Sequence, residues 1–279
     1  MTADPTGNHE VVRTRGGAPA VRSLAYGEIM HPGVGPLIEA EQLYVQQSRL
    51  AERLRAAPGE TLVLFDVGLG AGSNAVAARA VSEAAPAGAA RLEVVSFERD
   101  LGALELALEH GADFGLDGEA GQAARALIND GRHETPRTLW RLARGDALES
   151  LAQERALADL VFWDPFSPRV NGPLWTVAAF AAVRRLAGPR CLLLTYSAST
   201  AVRAAMLLAG WAVGIGDGIG DKAQTTAAAV DAAQLSRPLE QAWLRRLQRP
   251  DTPWPADAPA DALARARSAP QFGGGALVP

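Results

Sequence analysis

With one cysteine in 279 residues, this chain has no internal disulfide available to hold it together. Cys191 lies within Cys191-Leu192-Leu193-Leu194, where a thiol reads as a small packed apolar group and not as a nucleophile. Histidine is also sparse. His9, His31, His110 and His133 are scattered without metal-ligand spacing and one cysteine cannot complete a zinc set, so no metal site is expected. No apolar run reaches membrane-spanning length and residues 1–20 have no signal-peptide-like apolar segment, which reads as a cytoplasmic protein without membrane contact. An excess of positive charge is missing too. At a formal net charge of −4, a polyanion would need a local basic patch and not a general attractive field.

What the chain does have is apolar residues, 48% of the total, enough to fill the core of one large α/β domain with appendages. Its organising stretch runs Leu62-Val63-Leu64-Phe65-Asp66-Val67-Gly68-Leu69-Gly70-Ala71-Gly72-Ser73-Asn74. A short β-branched apolar run reads as a buried parallel strand, and the alanine-rich segment after it as a helix. Between them three alternate glycines permit close backbone approach to a ligand at a helix N-terminus. The spacing G-x-G-x-G differs from the G-x-G-x-x-G of dinucleotide folds. A second strand, Arg91 to Glu98, ends in an acid that can accept from ribose hydroxyls beside the first loop. Glycine loop plus strand-end acid leaves nicotinamide, flavin and S-adenosylmethionine all open.

Further strands are expected at Leu139–Arg144, Ala158–Trp163, Arg190–Tyr196, Gly210–Ile215 and Gln224–Val230, alternating with helices. That order predicts an α/β, Rossmann-like, mostly parallel seven-stranded sheet with helices on both faces. Asp146, after the third strand, is placed either to accept from an exocyclic amine or to cap a helix. Asp164-Pro165-Phe166-Ser167-Pro168 follows the fourth strand and puts an acid at the same crevice. Residues 1–22 read as a flexible leader, 23–58 as a substrate-side loop with a helix from Leu37 to Ala56, and 59–230 as the main domain. Residues 231–279 read as a short basic helix around Leu239–Gln248 with a disordered Pro- and Ala-rich tail after Asp251.

With these residues in place, the sequence resembles the methyltransferase family of the tRNA wobble-uridine enzyme MnmC, over about Ser23 to Ala229. The resemblance is carried by Tyr26-Gly27-Glu28 to His31 with Glu39-Ala40, the glycine loop, Ser96-Phe97-Glu98, Gly145-Asp146, and Asp164 to Pro168 running on to Trp175-Thr176. Gly218-Ile219-Gly220-Asp221-Lys222 tracks the family's glycine-lysine turn. The resemblance implies an S-adenosylmethionine-dependent methyltransferase acting on the exocyclic amine of 5-aminomethyl-(2-thio)uridine in the tRNA anticodon region. Any flavin-dependent oxidase step would belong to a separate wobble-uridine enzyme.

On that footing Asp66, Gly68, Gly70, Gly72, Asn74, Glu98, Asp146 and Asp164 are candidate donor-binding residues. Tyr26, Glu28, His31, Phe166, Trp175 and Lys222 are candidate substrate-binding residues. Asp164 is the candidate catalytic group, because an alkylamine that is protonated at neutral pH must be oriented and deprotonated before it can attack. The alternatives are a small-amine methyltransferase, a spermidine-synthase-like aminopropyltransferase, and a non-catalytic nucleotide-binding module.

Overall fold

The computed structural model describes residues 8–220 and 222–273. Three short strands, β1 (His9–Arg13), β2 (Pro19–Ser23) and β3 (Glu28–Ile29), form a small antiparallel sheet ahead of the main domain. The main sheet holds eight strands: β4 (Thr61–Val67), β5 (Arg91–Glu98), β6 (Arg132–Glu134), β7 (Thr138–Arg144), β8 (Ala158–Trp163), β9 (Ala187–Thr195), β10 (Ala212–Gly216) and β11 (Thr225–Ala229). Their spatial order is β10-β11-β9-β8-β4-β5-β7-β6. The five central strands are parallel, whereas β11 is antiparallel to both β9 and β10.

All seven strands expected from the sequence are present. The eighth, β6, is a three-residue polar edge strand antiparallel to β7, too short and too charged to be read as a strand from its pattern. Both sheet faces are covered, as apolar strands in a parallel sheet require. On one face Leu64, Val94 and Phe162 pack with Tyr44, Leu54 and Leu104; on the other Phe65, Val95 and Trp163 pack with Phe180, Val202 and Trp211. Cys191 is buried in β9, and burial pushes its thiol up to about 12, in keeping with a packing role.

Three expectations need correction. Within the segment read as a leader, residues 9–23 pair as a hairpin, Val11 opposite Val21, around a tight turn in which Gly17 takes φ 82°. The single helix expected from Leu37 to Ala56 is three pieces: a helical turn Pro36–Glu39, a π-helical stretch Ala40–Gln46 and a helix Leu50–Ala56, broken where Arg49 adopts φ 54°. The wider π turns put Leu43, Tyr44 and Val45 all inside.

The third correction concerns the tail, which is packed and ordered through residue 273. Its Leu244, Leu247, Ala266 and Phe272 join the second core. Gln271 accepts from the Val213 amide at 2.6 Å and donates to the Val213 and Leu239 carbonyls, adding to the Arg237 and Leu239 backbone bonds that cover the outer edge of β10. Met1–Gly7 of the expected leader and Gly274–Pro279 of the expected disordered tail lie outside the described residues.

Because the five parallel strands point one way, the loops after β4, β5, β7, β8 and β9 gather at one end of the sheet. The small N-terminal sheet and its loop close over that end.

Candidate active site

A cavity of about 770 Å³ opens there, walled by the glycine loop at Gly68–Gly70, by Glu98–Asp100, Gly145–Leu148 and Asp164–Ser167, and by Ala25–Pro32 of the N-terminal segment. Its position is the carboxyl-end crevice of a doubly wound sheet. Gly68, Gly70 and Gly72 take φ of 89°, 53° and 86°, a region that side chains rarely adopt. At Gly68 the need is also steric, since a Cβ would stand 2.7 Å from the Asp164 carbonyl oxygen. The Asp164 amide donates to the Val67 carbonyl at 2.9 Å, so the bare glycine and the acid's backbone are stacked together.

The Asp164 carboxylate points into the cavity and is 9% exposed. Asn74 donates to its Oδ2 at 2.7 Å, and the His31 Nε2 lies 3.5 Å from the same oxygen. His31 Nδ1 stands 3.5 Å from the Glu39 carboxylate, which is 7% exposed. A carboxylate, an imidazole and a second carboxylate therefore form one row. The buried hydroxyl of Tyr44, on the π-helical stretch, lies near Asp164 without completing a hydrogen bond. Burial raises the Asp164 pKa, opposed by the His31 charge and the Asn74 bond and reinforced by Glu39.

Glu98 closes the other side. Its carboxylate accepts from the Gly70 amide at 3.2 Å and from the Arg99 and Asp100 amides at 2.8 and 3.0 Å, so it braces the glycine loop while lining the cavity. Burial pushes its pKa up, against the pull of those three amides. Asp146 is the helix cap that the sequence allowed for, accepting from the Leu148 and Glu149 amides at the start of Ala147–Gln153, and it also lines the cavity.

Several candidates act at one remove. Gly72, expected at the donor, precedes the helix Ser73–Glu83 and does not line the cavity, and Asn74 orients Asp164. Asp66 is fully buried behind the loop, accepting from Ser96, whose oxygen in turn accepts from the Trp140 indole. Trp175 packs against Phe180 and Tyr196, and its indole donates to the Phe166 carbonyl, so it supports the loop that carries Phe166. Glu28 lines the cavity, and its carboxylate accepts from the Ser167 amide and hydroxyl and from Arg169, tying β3 to the Asp164 loop. Burial raises its pKa, but those donors outweigh it and the net shift is downward. Tyr26 and Phe166 remain at the cavity wall with ring centroids 4.8 Å apart, and the Tyr26 hydroxyl meets Arg99. Lys222 reaches over the Tyr196 ring at 4.6 Å and also lines the cavity. Among the described residues no group of His, Cys, Asp and Glu is arranged to hold a metal ion.

Asp66 carries a prediction of its own. Burial, with Asp164 and Glu98 nearby, pushes its carboxyl up to about 7 from an ordinary 3.8, and its Oδ1 has no hydrogen-bond partner. Above pH 3.8 the unfolded chain releases this proton while the folded protein holds it to about pH 7. Stability therefore falls as pH rises through that window, by at most about 4 kcal/mol for some three pKa units. Urea midpoints of the Asp66→Asn variant, which cannot ionise, are expected to change less between pH 5 and pH 8 than those of the unsubstituted protein. An identical pH dependence in the two would remove Asp66 as its source.

Glu39, Tyr44, Ser96 and Tyr196 were not singled out as site residues by sequence reasoning. Glu39 sat in a recognised stretch, yet its pairing with His31 depends on a loop reversal at His31, whose φ of 54° few non-glycine residues adopt.

The donor set suits a nucleoside carrying a cationic centre: acids at three strand ends, a glycine loop that brings backbone close, and aromatic walls. Comparison with known proteins agrees. A family model described as S-adenosyl-L-methionine-dependent methyltransferase matches residues 126–231. The "tRNA 5-methylaminomethyl-2-thiouridine biosynthesis bifunctional protein MnmC" of Burkholderia multivorans is 30% identical over 251 residues, 86% of this chain and 36% of that protein. Its namesake from Pseudomonas aeruginosa is 34% identical over 209 residues, 72% of this chain and 32% of that protein. The chain thus spans about a third of the length of these relatives. The crystal structure of MnmC2 from Aquifex aeolicus superposes with a TM-score of 0.71 at 25% identity, covering 93% of this chain and 85% of that one.

Proposed function

The chain belongs to the MnmC-like S-adenosylmethionine-dependent methyltransferases, and from that premise we propose that it methylates the exocyclic amine of 5-aminomethyl-(2-thio)uridine at the tRNA wobble position. The observation that carries the reading is Asp164, a buried carboxylate facing the cavity beside the glycine loop. An alkylamine reaches the site largely as its ammonium, which cannot attack. Asp164 first binds the ammonium by charge and hydrogen bonding; it then takes up one of its protons, and the neutral amine stays hydrogen-bonded to the resulting carboxylic acid. S-adenosylmethionine supplies an electrophilic methyl group on sulfur. With that donor bound at the glycine loop, the amine lone pair freed by Asp164 would form the N–C bond as the S–C bond broke, the electron pair leaving with sulfur.

In this reading Gly68, Gly70, Glu98 and Asp146 hold the donor, Glu98 through ribose hydroxyls. Gly72, Asn74 and Asp66 shape the loop and orient Asp164. Tyr26 and Phe166 present aromatic faces to an extruded base, as RNA-modifying sites commonly do, and Lys222 offers a cation to a phosphate. A tRNA substrate also fits a cytoplasmic location. Among the described residues no helix is long and apolar enough to cross a membrane.

The test is transfer of isotopically labelled methyl from S-adenosylmethionine to tRNA bearing 5-aminomethyluridine or its 2-thio form, with nucleosides read by mass spectrometry. Label on the wobble nucleoside is the expected result. Label found only on small polyamines would replace this reading with the small-amine one, and no transfer despite donor binding would favour the non-catalytic module.

A further inference from the structure

The row Glu39–His31–Asp164 raises a problem of charge that the reading above leaves open. Glu39, Asp164 and Asp66 are acids enclosed within one small volume, and enclosed carboxylates tend to keep their protons. A protonated Asp164 could not accept from an ammonium. The charged and titratable groups around it are His31 and Glu39 in the row, Tyr44 from the π-helical stretch, Asp66 behind it on β4, and Tyr196 and Lys222 across the cavity. Of these only His31 and Lys222 can be cationic. Lys222 is exposed and stacked over Tyr196, whereas His31 sits 3.5 Å from both acids.

We propose that Glu39 holds His31 as an imidazolium, and that this buried cation keeps Asp164 in the carboxylate form that takes the amine's proton. His31 and Glu39 are thus positioning residues that act through Asp164. The geometry supports this on three counts. Each ring nitrogen stands 3.5 Å from a different carboxylate, within ion-pair reach, so an imidazolium directs an N–H towards each acid, whereas a neutral ring leaves one nitrogen facing an acid without a proton. The chain accepts a left-handed backbone at His31 to aim the ring this way. The helical turn that carries Glu39 begins with Pro36 at its first position, directly after the His31 loop, which fixes the second acid relative to the first. Burial lowers the His31 pKa, yet Asp164 and Glu39 outweigh it and the net shift is upward, in the same direction.

The inference rests on Asp164 being the proton acceptor, so its test has an arm that needs no turnover. Nitrogen-15 spectra of the histidine-labelled protein, with His31 assigned by its loss in His31→Gln, are expected to show both ring nitrogens protonated at pH 7.5. A neutral His31 there overturns the proposal, whatever the substrate proves to be. In the second arm, single-turnover methylation of aminomethyl-uridine tRNA is followed from pH 6 to pH 9.5. In His31→Gln the acid limb should move up by about one unit or more, a loss of about tenfold near pH 6 that shrinks at alkaline pH. Glu39→Gln should move it in the same direction by less, because losing the Glu39 charge, which itself raises the Asp164 pKa, partly offsets the weaker hold on the imidazolium. A pH-independent loss in both variants marks a merely structural role and overturns the proposal. If His31→Gln fails to fold, Glu39→Gln and the spectra of the unsubstituted protein, assigned by Glu39→Gln perturbation, still decide. If the unsubstituted protein methylates no tRNA amine, the substrate reading fails while the spectra continue to judge the row.

Discussion

Asp164→Asn is expected to slow methyl transfer by roughly two to four orders of magnitude while leaving the fold and the donor's affinity near those of the unsubstituted protein. The amide keeps the shape of the side chain and can still accept from Asn74 through its oxygen. It can neither hold an ammonium by charge nor take a proton from it, so the lone pair that attacks is not freed. The fold should survive, because the contacts that seat this residue are backbone contacts: its amide on the Val67 carbonyl and its carbonyl over Gly68. Removing a charge from an enclosed site also relieves a desolvation cost. Single-turnover rates at saturating donor give the first quantity and calorimetry the second. A variant transferring methyl at the unsubstituted rate would end the catalytic role of Asp164 and the main support for an amine substrate. A matching drop in donor affinity would move Asp164 into the donor subsite.

How much of this was legible in the sequence follows from how local each signal was. The glycine loop, Glu98 and Asp164 could be read because each sits where an apolar run stops, and a parallel sheet brings all such stops to one end. The residues that complete the site depend on contacts between distant segments. Asn74 looked like part of a ligand-binding loop, yet its amide turns to Asp164, 90 residues on. Glu28 does line the cavity, yet Ser167 and Arg169, more than 130 residues later, already engage its carboxylate.

The N-terminal hairpin did carry a signal, two five-residue strands either side of Gly16-Gly17, but each is too short for alternation to stand out. In the tail, proline and alanine suggested disorder. Past Asp251 the side chains that decide the matter are few and small, Ala262 and Ala266 on one short helix and then Phe272, too little apolar surface to stand out as a helical pattern.

Glu98→Gln should show the opposite pattern to Asp164→Asn, with donor affinity falling about ten- to a hundredfold, or some 1.4 to 2.8 kcal/mol, and the rate at saturating donor little changed. The carboxylate offers about four acceptor positions and three backbone amides already use it. What remains faces the cavity. A glutamine has one oxygen, so it can serve either the Gly70 amide or the Arg99 and Asp100 pair, and its NH₂ then confronts donors on the other side. The glycine loop loosens on the side where the donor lies, and one acceptor for the ribose is lost together with the negative charge that favours a cationic ligand. Deleting the side chain in Glu98→Ala would leave all three amides without this partner and is expected to weaken binding further, with some loss of thermal stability. Calorimetric titration of both variants with S-adenosylmethionine measures the effect. Affinity equal to that of the unsubstituted protein in Glu98→Gln would remove Glu98 from the donor site and leave it the brace of a loop whose ligand is held elsewhere.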